Sequence, residues 1–300
     1  DIPKNSIAIF DIQPFRTSYY ITLGMDQEYY TPYVTNSFLT DVTDVVNKNG
    51  SYAVFKRKRD IGKLANSLYK IHLDYLSKKY FLPACAQTVI YNGINTEIFN
   101  PDHFSGQDRD SLRKSFSIDK DDKLILLVAR INPEKRHTDA IKALSMIHQM
   151  RAVIKPHLMI VGSGNPALQT KIKQLVSDLQ LDAYVHFAGS QSDVRLFYYM
   201  ADAFTLTSES ETFSIAALEA MAFGLPCALT DVGGAREMIV EDWNGTLADP
   251  LDPASIAKAW MNALKNNLNG RFIRQYVEKR FSLPTMLDKY VNLLSQPMIQ

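Results

Sequence analysis

The chain has 300 residues, 46% hydrophobic and 22% charged, enough to bury a full core and to make two domains. A formal net charge of +1 excludes a globally basic nucleic-acid binder, so nucleic acid is not an expected partner, although a local basic patch is allowed. Cys85 and Cys227 make neither a metal motif nor a disulfide framework, and no apolar run has the length of a membrane-spanning helix.

The cysteine usage suits a reducing compartment, and no signal-peptide pattern opens the sequence, so the expected location is cytoplasmic. In chain order, Ser6–Phe10 reads as a strand and Phe38–Asn47 as a helix stopped by Asn49-Gly50. From Lys56 the composition turns basic: Lys56, Arg57, Lys58, Arg59, Lys63, Lys70, Lys78 and Lys79 stand against Asp60 and Asp74. Ile61, Leu64, Ala65, Leu68, His72, Tyr75 and Leu76 recur at helical spacing, which predicts a basic amphipathic helix over 56–79. Such a face suits peripheral contact with anionic lipid or an acidic acceptor. The plainer reading is a solvated basic face over an ordinary core stripe. Thr88–Asn95 follows as a strand ending in an Asn-Gly turn, and the polar segment Pro101–Ile118 is the expected interdomain linker.

Strands and helices then alternate. Lys123–Ala129, His157–Val161, Val185–Gly189, Ala203–Thr207, Cys227–Leu229 and Gly245–Ala248 read as strands, the first of them buried on both faces. Helices are expected over His137–Met150, up to Leu179, around Leu196–Met200, after Gly233-Gly234, over Pro253–Lys265 and over Leu283–Leu294. Repeated βα units imply a parallel, doubly wound sheet that binds its ligand at the carboxyl ends of the strands. The chemically suggestive residues follow such ends: Arg130 and Lys135, Gly162 and Gly164, Gly189, Glu211, and Gly233 with Gly234. The Gly162-Ser163-Gly164 step lacks the third glycine of a dinucleotide fingerprint and carries little by itself.

The most informative stretch is Ser208–Pro226, a polar turn followed by an alanine-rich helix, with Gly224 suited to a left-handed end and Pro226 preventing continuation. Glu211 and Glu219 lie eight positions apart, about 12 Å at helical rise. The backbone N–H groups of Phe213, Ser214 and Ile215 at the helix mouth lack partners inside the helix, and the dipole makes that end attractive to a phosphate. A diphosphate bearing a sugar on one side and a nucleoside on the other spans that length. Alternatively, Glu211 is a simple dipole partner and Glu219 sits on a solvent face. Arg130 and Lys135 could clamp such a diphosphate and stabilise the charge that builds as it leaves, without a metal ion.

Val128–Lys135, Ile160–Gly164, Glu211 to Glu219 with the following Ala-Met-Ala-x-Gly-x-Pro, and Ile90–Ile94 together resemble the GT-B glycosyltransferases of family GT4 from about Thr88 onward. The resemblance implies an α/β fold of two Rossmann-like domains facing a cleft, the N-terminal one incomplete or shortened. It divides the chain into an acceptor-side domain over 1–104, a nucleotide-sugar domain over 105–282 and a helix over 283–300 crossing back. It implies a retaining transferase using a nucleotide-diphosphate sugar such as a UDP- or GDP-sugar as donor substrate, with a glycan or lipid-linked acceptor and no cofactor. Arg130 and Lys135 would hold the diphosphate and Glu211 the donor sugar. The helix start at Phe213, Ser214 and Ile215 would cap phosphate, Glu219 would bind the ribose, and the stretch from Gly189 to Val194 would lie by the base. Same-face attack, with the acceptor hydroxyl deprotonated by the departing phosphate, needs no protein nucleophile. Ser214 stands where the family often has Gly. A GT-B-like sugar-nucleotide epimerase, or a nucleotide-sugar-binding module without turnover, are the other readings of the same pattern.

Overall fold

In a computed structural model the described residues are 65–67, 87–104, 109–150, 154–265 and 269–295. The expected strand Ser6–Phe10, the helix Phe38–Asn47, Cys85 and most of 56–79 lie outside them. The chain divides into two compact units, one of residues 1–94 with 280–300 and the other of residues 95–279.

In the first unit, β1 (Ala65–Ser67) pairs in parallel with β2 (Gln87–Val89). This corrects the expected continuous helix over 56–79. Asn66 and Ser67 are poor helix formers, and strand pairing overrides the apolar spacing around them. Beyond β2 the chain buries Ile90, Asn92 and Ile94. Ile94 donates its N–H to the Phe281 carbonyl at 2.9 Å and accepts from the Leu283 N–H at 2.7 Å. Gly93 is needed here because a Cβ would lie 2.6 Å from the Ser282 carbonyl oxygen.

The second unit opens with a 3₁₀ turn at Pro101–Phe104 and helix α1 (Arg109–Lys114). The described residues of the linker expected over Pro101–Ile118 are therefore structured, and charges on α1 hold them. Arg113, 1% exposed, donates to the Met200 carbonyl at 2.9 and 2.7 Å and to Asp202 Oδ2 at 2.6 Å. Arg109 donates to the Ala201 carbonyl at 2.6 Å and to Asp202 Oδ1 at 3.0 Å. The same Asp202 Oδ2 accepts the Leu124 N–H at 2.8 Å, so one carboxylate ties α1 to the start of a central strand.

The elements that follow are β3 (Leu124–Val128), α2 (His137–Gln149), β4 (His157–Val161), α3 (Pro166–Asp178), β5 (Val185–Gly189), α4 (Arg195–Met200), β6 (Ala203–Leu206) and α5 (Ile215–Ala222). Then come β7 (Cys227–Thr230), α6 (Ala235–Met238), β8 (Gly245–Ala248), α7 (Pro253–Lys265), α8 (Gly270–Phe281) and α9 (Leu283–Ser295); the last two residues of α8 and all of α9 belong to the first unit. All six strands β3–β8 are parallel, in the order β5-β4-β3-β6-β7-β8. Successive strands build outward from β3 in one direction and then, from β6, in the other, so β3 and β6 flank the topological switch point.

Alternation along β3 explains its continuous apolar run. Ile125 and Leu127 join one core cluster with α2, α3 and α7, while Leu124 and Leu126, equally buried, point to the opposite face. Trp260 on α7 fills the first face and donates its indole N–H to Thr205 Oγ1 at 2.8 Å. Cys227 is fully buried and makes no disulfide among the described residues, and burial pushes its thiol pKa up. Among the described residues no helix is long and apolar enough to cross a membrane.

Candidate functional site

The loops after β3 and β6 meet at the switch point. From β3 the chain runs through Arg130 and Ile131 into a 3₁₀ turn, Pro133–Lys135, and reverses at Arg136, which takes a left-handed conformation with φ 52°. Arg136 is held there by Asp139 at 2.9 Å, with Glu209 at 3.7 Å. From β6 the chain passes Thr207 and Ser208 into the turn bearing Glu211. Glu209 donates its N–H to the Glu134 carbonyl at 2.9 Å, joining the two loops through the backbone.

Their side chains meet as well. Lys135 Nζ lies 2.5 Å from Glu211 Oε1, and Ser208 Oγ donates to the same oxygen at 3.2 Å. Among the described residues, Glu211 Oε2 takes no hydrogen bond. Arg130 is exposed, and its guanidinium has no hydrogen bond or ion pair among the described residues. A fixed cation and a carboxylate with one unoccupied oxygen thus meet at the β3 and β6 strand ends, and an open cation, Arg130, stands in the same loop as the lysine.

Two glycines bring a third loop against this one. Gly162, at φ 140°, could not carry a Cβ, which would lie 2.0 Å from the Ala129 carbonyl oxygen; one on Gly164 would lie 2.2 Å from that of Ile131. The close approach permits Ile131 N–H to reach Ser163 O at 3.0 Å and Asn165 N–H to reach Ile131 O at 3.0 Å. In the structure Gly162 and Gly164 therefore pack against the Arg130 loop. Gly189, φ 67°, is exposed at the end of β5, and its carbonyl accepts the Gly162 N–H at 2.7 Å. Gly233 presses from β7: a Cβ there would lie 2.1 Å from the Glu211 carbonyl oxygen, and Gly234 donates to Thr212 O at 2.7 Å.

The helix mouth starts later than its sequence suggests. Ile215 is the first residue of α5, Ser214 is its N-cap, accepting from the Ala217 N–H at 3.3 Å, and Phe213 is buried just outside it. Ser214 thus satisfies one of the first-turn donors itself, leaving the N–H groups of Ile215 and Ala216 without partners inside the helix. Only the second half of the Glu211–Glu219 interval is helical, so the helical-rise spacing does not apply across it. Glu219 is also not on a solvent face. It is 8% exposed, and the fully buried Tyr198 donates to its Oε2 at 2.7 Å. Gly224 ends α5 in the left-handed conformation expected of it, φ 79°.

Next to Lys135, His137 is 2% exposed, and among the described residues neither ring nitrogen has a hydrogen-bond partner. Burial, then the charge of Lys135, lowers its pKa to about 4, so it is neutral at physiological pH. Among the described residues, no group of three or more His, Cys, Asp or Glu side chains could hold a metal ion.

Comparison with known proteins gives this crevice its setting. Residues 108–280 match the family described as glycosyl transferases group 1, and residues 1–83 match one described as polysaccharide biosynthesis PFTS motif protein. The N-acetyl-alpha-D-glucosaminyl L-malate synthase of Bacillus anthracis is 30% identical over 206 residues, covering 67% of this chain and 51% of that protein. The lipopolysaccharide 1,2-N-acetylglucosaminetransferase of Salmonella typhimurium is 29% identical over 220 residues, covering 70% and 54%. The chain spans about half the length of the curated relatives it matches. Anabaena HepE, crystallised with UDP and glucose, superposes with a TM-score of 0.68 at 20% identity, covering 86% of this chain and 67% of that one. A glycosyltransferase from Rickettsia africae gives the same TM-score at 21% identity, covering 87% and 67%. These structural likenesses establish the fold as that of GT-B glycosyltransferases. The chain belongs to the family of glycosyl transferases group 1.

Proposed function

We propose that this chain carries the donor half of a retaining glycosyltransferase, which moves a sugar from a nucleotide diphosphate to a glycan or lipid-linked acceptor. The observation that carries the reading is the Lys135–Glu211 pair at the β3–β6 switch point, with Arg130 at the start of the same β3 loop, in a chain of this family. Arg130 and Lys135 bind the diphosphate, and the start of α5 at Ser214 and Ile215 adds N–H donors and the positive end of a helix dipole. Glu211 accepts from hydroxyls of the donor sugar. Glu219, oriented by Tyr198, accepts from the ribose, and the backbone from Gly189 to Val194 flanks the base.

The chemistry follows from where charge develops. As the bond between the anomeric carbon and the diphosphate oxygen lengthens, negative charge accumulates on the leaving group, and the cations Arg130 and Lys135 stabilise that state most. The departing phosphate oxygen takes the proton of the acceptor hydroxyl as the latter attacks the same face, so the sugar keeps its anomeric configuration and no protein nucleophile is required. The cations supply the charge stabilisation that a metal ion would otherwise provide, and no cofactor enters the scheme.

The match of residues 1–83 to a polysaccharide-biosynthesis family supports a saccharide or lipid-linked saccharide acceptor. Membrane contact through 56–79 rests on its eight basic residues against two acidic ones rather than on a helix, because β1 interrupts the stretch. Thermal unfolding with UDP, GDP, ADP, dTDP and CMP tests the donor site. At 100 times its dissociation constant, the true nucleotide adds about 2.7 kcal/mol. The response disappears in Lys135→Ala. Indifference of the unmutated chain to all five nucleotides would sink the reading.

A further inference from the structure

Resting on that donor-site reading, we propose that three buried hydroxyls, those of Thr207, Ser208 and Thr230, are positioning residues that set the geometry of Lys135 and Glu211. Thr207 Oγ1 donates to the Lys135 carbonyl at 3.0 Å, with the Arg136 carbonyl at 3.3 Å. Its neighbour Ser208 donates to Glu211 Oε1 at 3.2 Å. Thr230, at the end of the adjacent strand, donates to the Ser208 carbonyl at 2.6 Å and so fixes the backbone that carries the serine. All three are 2% exposed or less, so water does not substitute for these bonds.

The position of these bonds separates them from the bonds of the fold itself. Backbone pairing of β3 with β6 ends at Leu127 and Thr205. Past that register the two strands diverge into loops, and successive side chains of an extended chain point to opposite sides. Thr207 therefore reaches back to the lysine loop while Ser208 reaches the glutamate of its own turn. One strand end places both members of the ion pair. Productive geometry must be held within about 0.5 Å, and bonds to a charged carboxylate are the stronger kind available to do it.

The two hydroxyls consequently affect different parts of a donor. Thr207 acts through Lys135 on the diphosphate; Ser208 acts through Glu211 on the sugar. The test uses the 300-residue chain and calorimetric titration with UDP, GDP and ADP, the tightest binder being carried forward with its glucose conjugate. Thr207→Val is expected to weaken the nucleoside diphosphate about 10-fold, the size of one hydrogen bond, and Thr207→Ser to restore it. Ser208→Ala is expected to leave the diphosphate alone and weaken the glucose conjugate about 10-fold. A Thr207→Val chain that fails to fold leaves Ser208→Ala to decide. Equal losses for both ligands in step with a lowered urea midpoint, or unchanged affinities in both variants, would overturn the positioning role. Failure of the unmutated chain to bind any of the three diphosphates would instead overturn the donor-site reading, and this inference with it.

Discussion

Lys135 and Glu211 form an ion pair of 2.5 Å between residues 76 positions apart, carried by loops from two adjacent strands. The side chains are 17% and 20% exposed, between the fully solvated pairs that contribute little and the buried pairs that are costly to break. Without a ligand, each charge satisfies the other. On the proposed donor-site reading, an incoming diphosphate would compete with Glu211 for the lysine and leave the glutamate to turn to the sugar.

The two partners should therefore respond differently to neutralisation. Lys135→Ala removes nucleoside diphosphate binding, whereas Glu211→Gln keeps or strengthens it, because the ammonium is no longer held by a carboxylate. Turnover falls in both. Each variant loses about 1–2 kcal/mol of stability, a value between those of exposed and buried pairs. Calorimetric titration beside urea unfolding checks this, and equal loss of diphosphate binding in the two variants would show that Glu211 does not compete for the lysine.

A second expectation concerns stability alone. Arg113→Ala leaves Asp202 without its closest cation and the Met200 carbonyl without two donors, in a site where the arginine is 1% exposed. The loss should be about 3–5 kcal/mol. Arg113→Lys should rescue little, since an ammonium cannot reproduce the guanidinium fork. Arg109, whose side chain is 36% exposed, should cost about 1 kcal/mol when truncated. Comparable urea midpoints for the two alanine variants would contradict this ranking.

Gly233→Ala tests the support of the glutamate turn. Residue 233 has φ 55°, and a Cβ there would meet the Glu211 and Thr212 carbonyl oxygens at 2.1 and 2.7 Å. Strain of about 1–3 kcal/mol should therefore appear together with a displaced Glu211. The expected outcome is reduced kcat with a folded protein by circular dichroism. Full activity in Gly233→Ala would show that the Glu211 turn does not depend on this contact.

How far the sequence alone reaches depends on the range of the interaction. The parallel strands were legible because each is a short apolar run, and Arg130, Lys135 and Glu211 stood out because each follows a strand end. The helix α8 has charges distributed around Ile273 and Val277, so its apolar stripe is too sparse to mark it in the sequence. Arg109 and Arg113 read as linker polarity because their partner, Asp202, lies about ninety positions away. The Tyr198–Glu219 bond and the hydroxyls of Thr207, Ser208 and Thr230 were also hidden, since Ser and Thr in a turn carry no mark of what they will bond. In 56–79 the apolar spacing favoured a helix, but at 65–67 strand pairing decided the outcome. Local pattern reveals elements and strand ends; it does not reveal which buried polar groups will find each other.

The last expectation follows from His137 and has a definite sign in pH. In the fold its pKa is lowered to about 4, chiefly by burial and then by Lys135, from 6.5 in the absence of those effects. The unfolded chain therefore binds the proton first, and stability is full above about pH 6.5, then falls as pH is lowered toward 4. With about 1.4 kcal/mol per pH unit, this single residue should remove on the order of 3 kcal/mol over that window. His186, lowered to about 4 by burial and by His157, adds to the slope in the same direction; His157 and His148 are lowered as well. These three belong to a separate cluster, in which His157 Nδ1 lies 2.8 Å from His186 Nε2 and His157 Nε2 lies 3.3 Å from Asp122. His137→Leu should remove only the first contribution. It should also stabilise the protein at neutral pH by about 1 kcal/mol, because it replaces two unbonded buried nitrogens with apolar volume. Urea unfolding of both proteins between pH 4 and 8 checks both statements. A leucine variant less stable than the parent at pH 7.5 would mean that the imidazole nitrogens have partners in solution.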